Sequence, residues 1–159
     1  LGGVLVGDRI ADVMIEKGGE FFHGYTYSGH PAACAVAIAN IRLIQEEGLV
    51  DRVKNDIGPY LQERWHKLGE HPLVGETRML GLMGALELVA DKQTLERFPE
   101  KRGAGTICRD MFVENGLVLR AVGDTMVCAP PLVLKREEAD ELVETAWRCL
   151  DLTAEALGS

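Results

Sequence analysis

Val74-Gly75-Glu76-Thr77-Arg78-Met79-Leu80-Gly81-Leu82-Met83-Gly84-Ala85-Leu86-Glu87-Leu88-Val89 reads as extended chain. Leu82, Gly84, Leu86 and Leu88 fall on one side and Met83, Ala85 and Glu87 on the other, the period of a pleated strand with one covered face. The two extended segments meet near Gly81, as a hairpin or as one bent strand. Upstream, His71-Pro72 ends helical character, because a residue before proline is pushed out of the α region.

Working outward, Leu117 to Ala121 and Thr125 to Ala129 flank Val122-Gly123-Asp124 as a second short hairpin, closed by Pro130-Pro131. Helical periodicity runs over Leu49 to Leu68, with Val50, Val53, Ile57, Leu61, Trp65 and Leu68 on one face and a kink expected at Gly58-Pro59. A further helix spans Ala104 to Glu114 and stops at Asn115-Gly116, and a last one covers about Arg136 to Ala156. Asp91 to Arg102 is charged, holds Pro99 and predicts an exposed loop. This order gives an α+β domain: a small antiparallel sheet covered by helices on one face.

Before Gly48 the pattern changes. Leu1 to Gly7 reads as a buried strand already under way, so the chain is expected to be cut from something longer. Asp8 is expected to cap a short helix ending near Lys17-Gly18-Gly19. A helix from Pro31 to Glu47 has apolar residues on more than one stripe, as if covered on several sides.

The chain has 159 residues, 47% of them hydrophobic, enough for one real core. A net charge of -8 without clustered Lys and Arg argues against a nucleic-acid surface. Cys34, Cys108, Cys128 and Cys149 are too scattered for a zinc site or a disulfide scaffold, and read as buried or idle thiols of a reducing compartment. No apolar run reaches the ~18 residues of a membrane span, and no leader pattern precedes the first helix, so a soluble cytoplasmic protein is expected.

Chemistry concentrates in His23-Gly24-Tyr25-Thr26-Tyr27-Ser28-Gly29-His30-Pro31. Hydroxyls, aromatic rings and the N–H groups of a helix start can hold an anionic group beside a flat ring. The alternative is an ordinary helix cap, Ser28 ahead of Pro31, with the tyrosines in a core. Arg120, beside a glycine turn, reads as a guanidinium for bidentate capture of a carboxylate, or as a salt-bridged surface arginine. All six lysines lie in polar settings, and none suits a desolvated Schiff-base role. His23 and His30 read as structural, His66 and His71 as surface residues, and Glu87 as edge or solvent-facing. The glycines of Gly81 to Gly84 and Gly103 to Gly105 match no phosphate-binding fingerprint and are given turn roles.

Four ordered segments together resemble the class III pyridoxal-phosphate aminotransferases, in the branch acting on ω-amino acids or amines with pyruvate. They are Leu1-Gly-Gly-Val-Leu-Val-Gly7, His23 to Pro31, Gly75 to Met83 with Glu87-Leu88, and Leu119-Arg-Ala-Val-Gly-Asp124 leading to Ala129-Pro-Pro131. Ser28-Gly29-His30-Pro31 stands where ornithine and acetylornithine enzymes tend to have Gly-Gly-Asn-Pro, which favours that branch.

The resemblance implies an α/β parent fold, the fold-type I pyridoxal-phosphate transferases. Residues 1–44 would be the tail of the large cofactor domain and residues 45–159 the C-terminal small α+β domain. It implies that Thr26 bonds the cofactor phosphate of the neighbouring subunit of a homodimer, that Tyr25 lines cofactor and substrate, and that Arg120 binds the substrate carboxylate. The family's Schiff-base lysine would fall upstream of Leu1, with the aspartate that pairs the pyridine nitrogen, so this stretch holds no catalytic residue and is expected to be inactive alone. The implied reaction moves an amino group from an ω-amino acid or amine to a 2-oxo acid such as pyruvate. An aminomutase, a decarboxylating transaminase or a non-catalytic fragment that caps a dimer surface are the alternatives.

Overall fold

Gly81 carries a φ of +60°, and with Leu82 it forms the two-residue turn that the first hairpin needs. In the computed structural model, which describes residues 2–158, strand β1 (Val74–Leu80) therefore folds back onto β2 (Met83–Leu88), with Leu80 opposite Met83 and Thr77 opposite Leu86. A register shift between Val74 and Glu76 bends β1 near its start. The second hairpin joins β3 (Arg120–Val122) to β4 (Thr125–Cys128) through Gly123-Asp124, one residue shorter than expected. β4 pairs with β2, giving an antiparallel sheet in the order β1-β2-β4-β3.

Alternation does place one face in a core. Leu86, Leu88, Met126 and Cys128 are buried, while Glu87, Thr125 and Val127 on the other face are half-buried. The covering helices are α4 (Gly58–Lys67), α5 (Ala104–Glu114) and α6 (Arg136–Leu157). They contribute Leu61, Trp65, Phe112, Ala146, Cys149 and Leu150 to the same cluster. Trp65 reaches the sheet because Gly84 has no side chain: a Cβ there would sit 3.1 Å from the indole. The indole N–H donates to Ala85 O at 3.3 Å.

The expected long helix from Leu49 to Leu68 is interrupted. It runs as α3 (Leu49–Arg52), one π turn (Val53–Ile57) and α4, and ends in a 3₁₀ turn at Leu68–Glu70. Gly58 N–H donates to Val53 O, and a Cβ at Gly58 would lie 2.2 Å from that carbonyl. The kink expected at Gly58-Pro59 is thus a π turn that glycine alone can close.

The chain divides into two units between Glu47 and Gly48. The first holds α1 (Asp8–Lys17) and α2 (Pro31–Glu46). Residues 2–7 are not a strand: they are irregular and exposed, and no sheet partner lies beside them among the described residues, since a strand is stable only with a neighbour to bond. Leu1 lies outside the described residues. Asp8 opens α1 from within, Gly7 being the flanking residue. α2 buries none of its residues, and Val36 and Ile41 are more than half exposed. Among the described residues no helix is long and apolar enough to cross a membrane, and no cluster of His, Cys, Asp and Glu could hold a metal ion.

Three sequence expectations are corrected in the second unit. His71 is buried rather than at the surface, its Nε2 at 3.2 Å from Asp151 Oδ1. Glu87 sits on a central strand, not an edge, because β4 covers the side of β2 away from β1. Gly105 lies inside α5, not in a turn: its N–H donates to Asp124 Oδ1 at 2.8 Å and a Cβ there would come within 1.9 Å of Gly123 O.

Candidate functional site

Pro31 has no N–H to lose and fixes φ at a helical value, so α2 starts there. The residue that caps it is His30, not Ser28: His30 Nδ1 accepts the Ala33 N–H at 3.4 Å. Ser28 instead closes a turn with Tyr25. Its hydroxyl accepts the Tyr25 N–H at 3.1 Å, and its N–H donates to Tyr25 O at 2.9 Å. His30 N–H then donates to Tyr27 O at 3.3 Å.

This double clasp engages the Ser28 hydroxyl as an acceptor and leaves Thr26 at the crest of the turn, exposed, with no hydrogen bond to its hydroxyl among the described residues. Tyr25 is 77% exposed, so the tyrosines are not core residues. Its ring meets His23 edge-on at 5.5 Å, and His23 meets Phe21 at 5.7 Å. An outward hydroxyl beside an exposed ladder of flat rings fits a phosphorylated aromatic group. The turn itself brings no positive charge and no amine nucleophile.

Arg120 opens β3 rather than closing a strand, opposite Val127. Its side chain is exposed, and among the described residues no carboxylate pairs with it. Strand pairing begins at Arg120, so Leu117 to Leu119 approach it as irregular chain. There the two arms part: Leu117 to Leu119 on one side, Ala129 to Pro131 on the other, around a cavity of about 500 Å³ also lined by Leu134, Glu138, Glu141 and Leu142. Thr26 and Arg120 belong to different units.

Other reactive groups are committed to structure. Burial pushes the thiols of Cys108 and Cys128 up to about 12, so neither is a nucleophile near neutral pH. All four cysteines are free, and Cys34 is half-buried. Glu87 is held by Arg78 at 2.5 Å and by the Thr125 hydroxyl at 3.0 Å.

Residues 2–150 match the family described as aminotransferase class-III. The chain belongs to the class III aminotransferases. It is 54% identical over 99% of its length to a putrescine–pyruvate aminotransferase of Pseudomonas aeruginosa, of which it covers 34%. An (S)-enantioselective omega-transaminase from Thermomicrobium roseum superposes with a TM-score of 0.81 at 38% identity, covering 93% of this chain and 33% of that one. An aminotransferase from Vibrio fluvialis, solved in its PMP-bound form, gives a TM-score of 0.80 at 32% identity, covering 94% of this chain and 33% of that one. The chain spans about a third of the length of these relatives. Class III aminotransferases depend on pyridoxal phosphate, and their fold is that of the fold-type I pyridoxal-phosphate enzymes.

Sequence reasoning passed over Arg52. Its half-buried guanidinium donates to Leu132 O at 2.9 Å and to Leu134 O at 2.5 Å. Nothing in its helical spacing marks it out, because the contact spans 80 residues.

Proposed function

We propose that this chain forms part of a pyridoxal-phosphate transaminase that passes an amino group from an ω-amino acid or amine to a 2-oxo acid such as pyruvate. The match over nearly the whole chain to a relative named for putrescine and pyruvate carries this reading. A short terminal amine is accordingly the donor class to test first.

The turn at Tyr25 to Ser28 suits the phosphate end of the cofactor. Thr26 would donate its hydroxyl to a phosphate oxygen, and the Tyr25 ring would bound the site from the side. Pyridoxal phosphate, when bound, supplies the electron sink for transamination. Arg120 would take the substrate carboxylate in a fork of two N–H donors and orient the reacting carbon. No carboxylate of the chain competes for it among the described residues. In this reading the enzyme is a cytoplasmic homodimer, Thr26 serves the cofactor of the neighbouring subunit, and the Schiff-base lysine comes from outside this stretch. Residues 1–44 belong to the cofactor domain and 45–159 to the small domain.

The test is a donor panel with pyruvate on the complete enzyme. Alanine should form in step with loss of the amine. Carbon dioxide release or intramolecular transfer of the amino group would replace this reading by a decarboxylating transaminase or an aminomutase.

A further inference from the structure

We propose that Arg52 is a positioning residue that sets the place of Arg120, an inference that rests on the carboxylate role proposed for Arg120. β3 is an edge strand of three residues and pairs with β4 alone, so Arg120 lies wherever β4 holds it. β4 runs on at once into Ala129-Pro130-Pro131-Leu132-Val133-Leu134-Lys135, a linker without regular structure that leads to α6. Two prolines remove the N–H groups that would let a neighbouring strand hold it.

On one side this linker borders the cavity of about 500 Å³ at which the two arms leaving the Arg120–Val127 pair part, and of its seven residues Leu134 alone is buried. On the other side Arg52 bridges two of its carbonyls, at 2.9 and 2.5 Å. A single rigid guanidinium thereby does for the linker what a strand neighbour would do, binding alternate carbonyls. Asp56, one turn further along, takes Arg136 at 2.6 Å and pins the next residues of the same path. The π turn at Val53–Ile57 begins directly after Arg52 and holds Asp56 within it. The arm on the far side of the cavity is tied separately, by the Leu117 N–H to Phe112 O at 2.9 Å. β2 holds β4 itself from Thr125 to Cys128, and Arg120 stands beyond it at a fork whose arms are fixed by α5 and by Arg52.

The experiment compares pyruvate with acetaldehyde as acceptor, in which a hydrogen replaces the carboxylate, in the complete enzyme carrying Arg52→Gln. The KM for pyruvate should rise about tenfold, the loss of charge-assisted bonds to two carbonyls, while turnover with acetaldehyde stays unchanged. Arg52→Lys keeps the charge but replaces the two separate terminal nitrogens, one on each carbonyl, by a single compact ammonium, so it should fall between, and it serves if the Gln variant folds poorly. Amide exchange over residues 120–128 should quicken while that over β1, residues 74–80, which pairs with β2 alone, does not. On an Arg120→Ala background, Arg52→Gln should add nothing to the KM for pyruvate. Equal losses with both acceptors, or unchanged exchange over 120–128 while Arg120→Ala still discriminates the acceptors, overturns the positioning role alone. Quickened exchange in an enzyme where Arg120→Ala fails to discriminate overturns the carboxylate reading, and the positioning role falls with it.

Discussion

His71 holds Leu73 through one ring nitrogen and Asp151 through the other: Nδ1 accepts the Leu73 N–H at 3.1 Å, and Nε2 lies 3.2 Å from Asp151 Oδ1. The geometry fixes the tautomer, since an acceptor at Nδ1 leaves the proton on Nε2, facing the carboxylate. Trp147 of α6 packs edge-on against the ring at 5.2 Å, so this histidine ties the entry of β1 to the last helix. His71→Ala should cost about 2 to 4 kcal/mol, from lost packing and an orphaned buried N–H. His71→Asn can still accept from Leu73 and should recover part of that. Denaturant midpoints of the three proteins check the order; equal losses for Ala and Asn would show that packing alone matters.

Glu87 predicts a pH dependence. Burial alone would raise its carboxyl above the ordinary 4.5, but hydrogen bonds from Arg78 and Thr125, with the charges of Arg78 and Arg97, outweigh burial and hold it below. A carboxyl lowered in the folded state adds stability that is complete above 4.5 and is lost as pH falls through the lower folded value. Glu87→Gln should therefore lower stability at neutral pH and flatten the acid limb of the stability curve. Unfolding measured from neutral into acid pH reads both effects.

Gly105 is a close-approach position. Since a Cβ would meet Gly123 O at 1.9 Å and Asp124 Cα at 2.9 Å, both backbone atoms, no side chain can yield. Gly105→Ala should cost about 1 to 3 kcal/mol or more and displace the β3–β4 turn. In the complete enzyme this should also weaken use of pyruvate, because Arg120 rides on that hairpin. A melting temperature unchanged from the parent would contradict the contact.

Thr26 and Arg120 make opposite predictions. Thr26→Val should weaken cofactor retention by about 1.5 to 3 kcal/mol, the worth of a hydrogen bond to a charged group, and Thr26→Ser should keep most of it. Cofactor titration followed by absorbance measures this. Arg120→Ala should leave cofactor binding intact, weaken carboxylate-bearing substrates by a similar amount and spare simple amines. Equal losses for both substrate types would return Arg120 to a surface role.

The sequence by itself determined the family and the order of strands and helices in the second unit, though not the π turn that interrupts the helix from Leu49. The alternation of Leu82 to Leu88, the glycine at Gly81 and the apolar stripe from Ile57 to Leu68 are local signals, and local sterics with face burial were enough to turn them into a hairpin under a helix. Residue types alone drew attention to the turn around Thr26 and to Arg120, but the sequence put the cap at Ser28 and Arg120 at a strand's end, where the structure caps α2 with His30 and starts β3 at Arg120. Tertiary structure alone decided the rest. His71 became a core residue through Asp151, Gly105 a contact point through Gly123, and Arg52 a clasp through Leu132 and Leu134. Each of these partners lies 18 to 82 residues away, as from Gly105 to Gly123 and from Arg52 to Leu134, beyond any periodicity that a window of sequence can hold. Of the strand expected over Leu1 to Gly7, residues 2–7 are irregular for the same reason in reverse: their apolar side chains announce a buried strand, but a strand exists only where a neighbour's N–H and C=O groups meet its own.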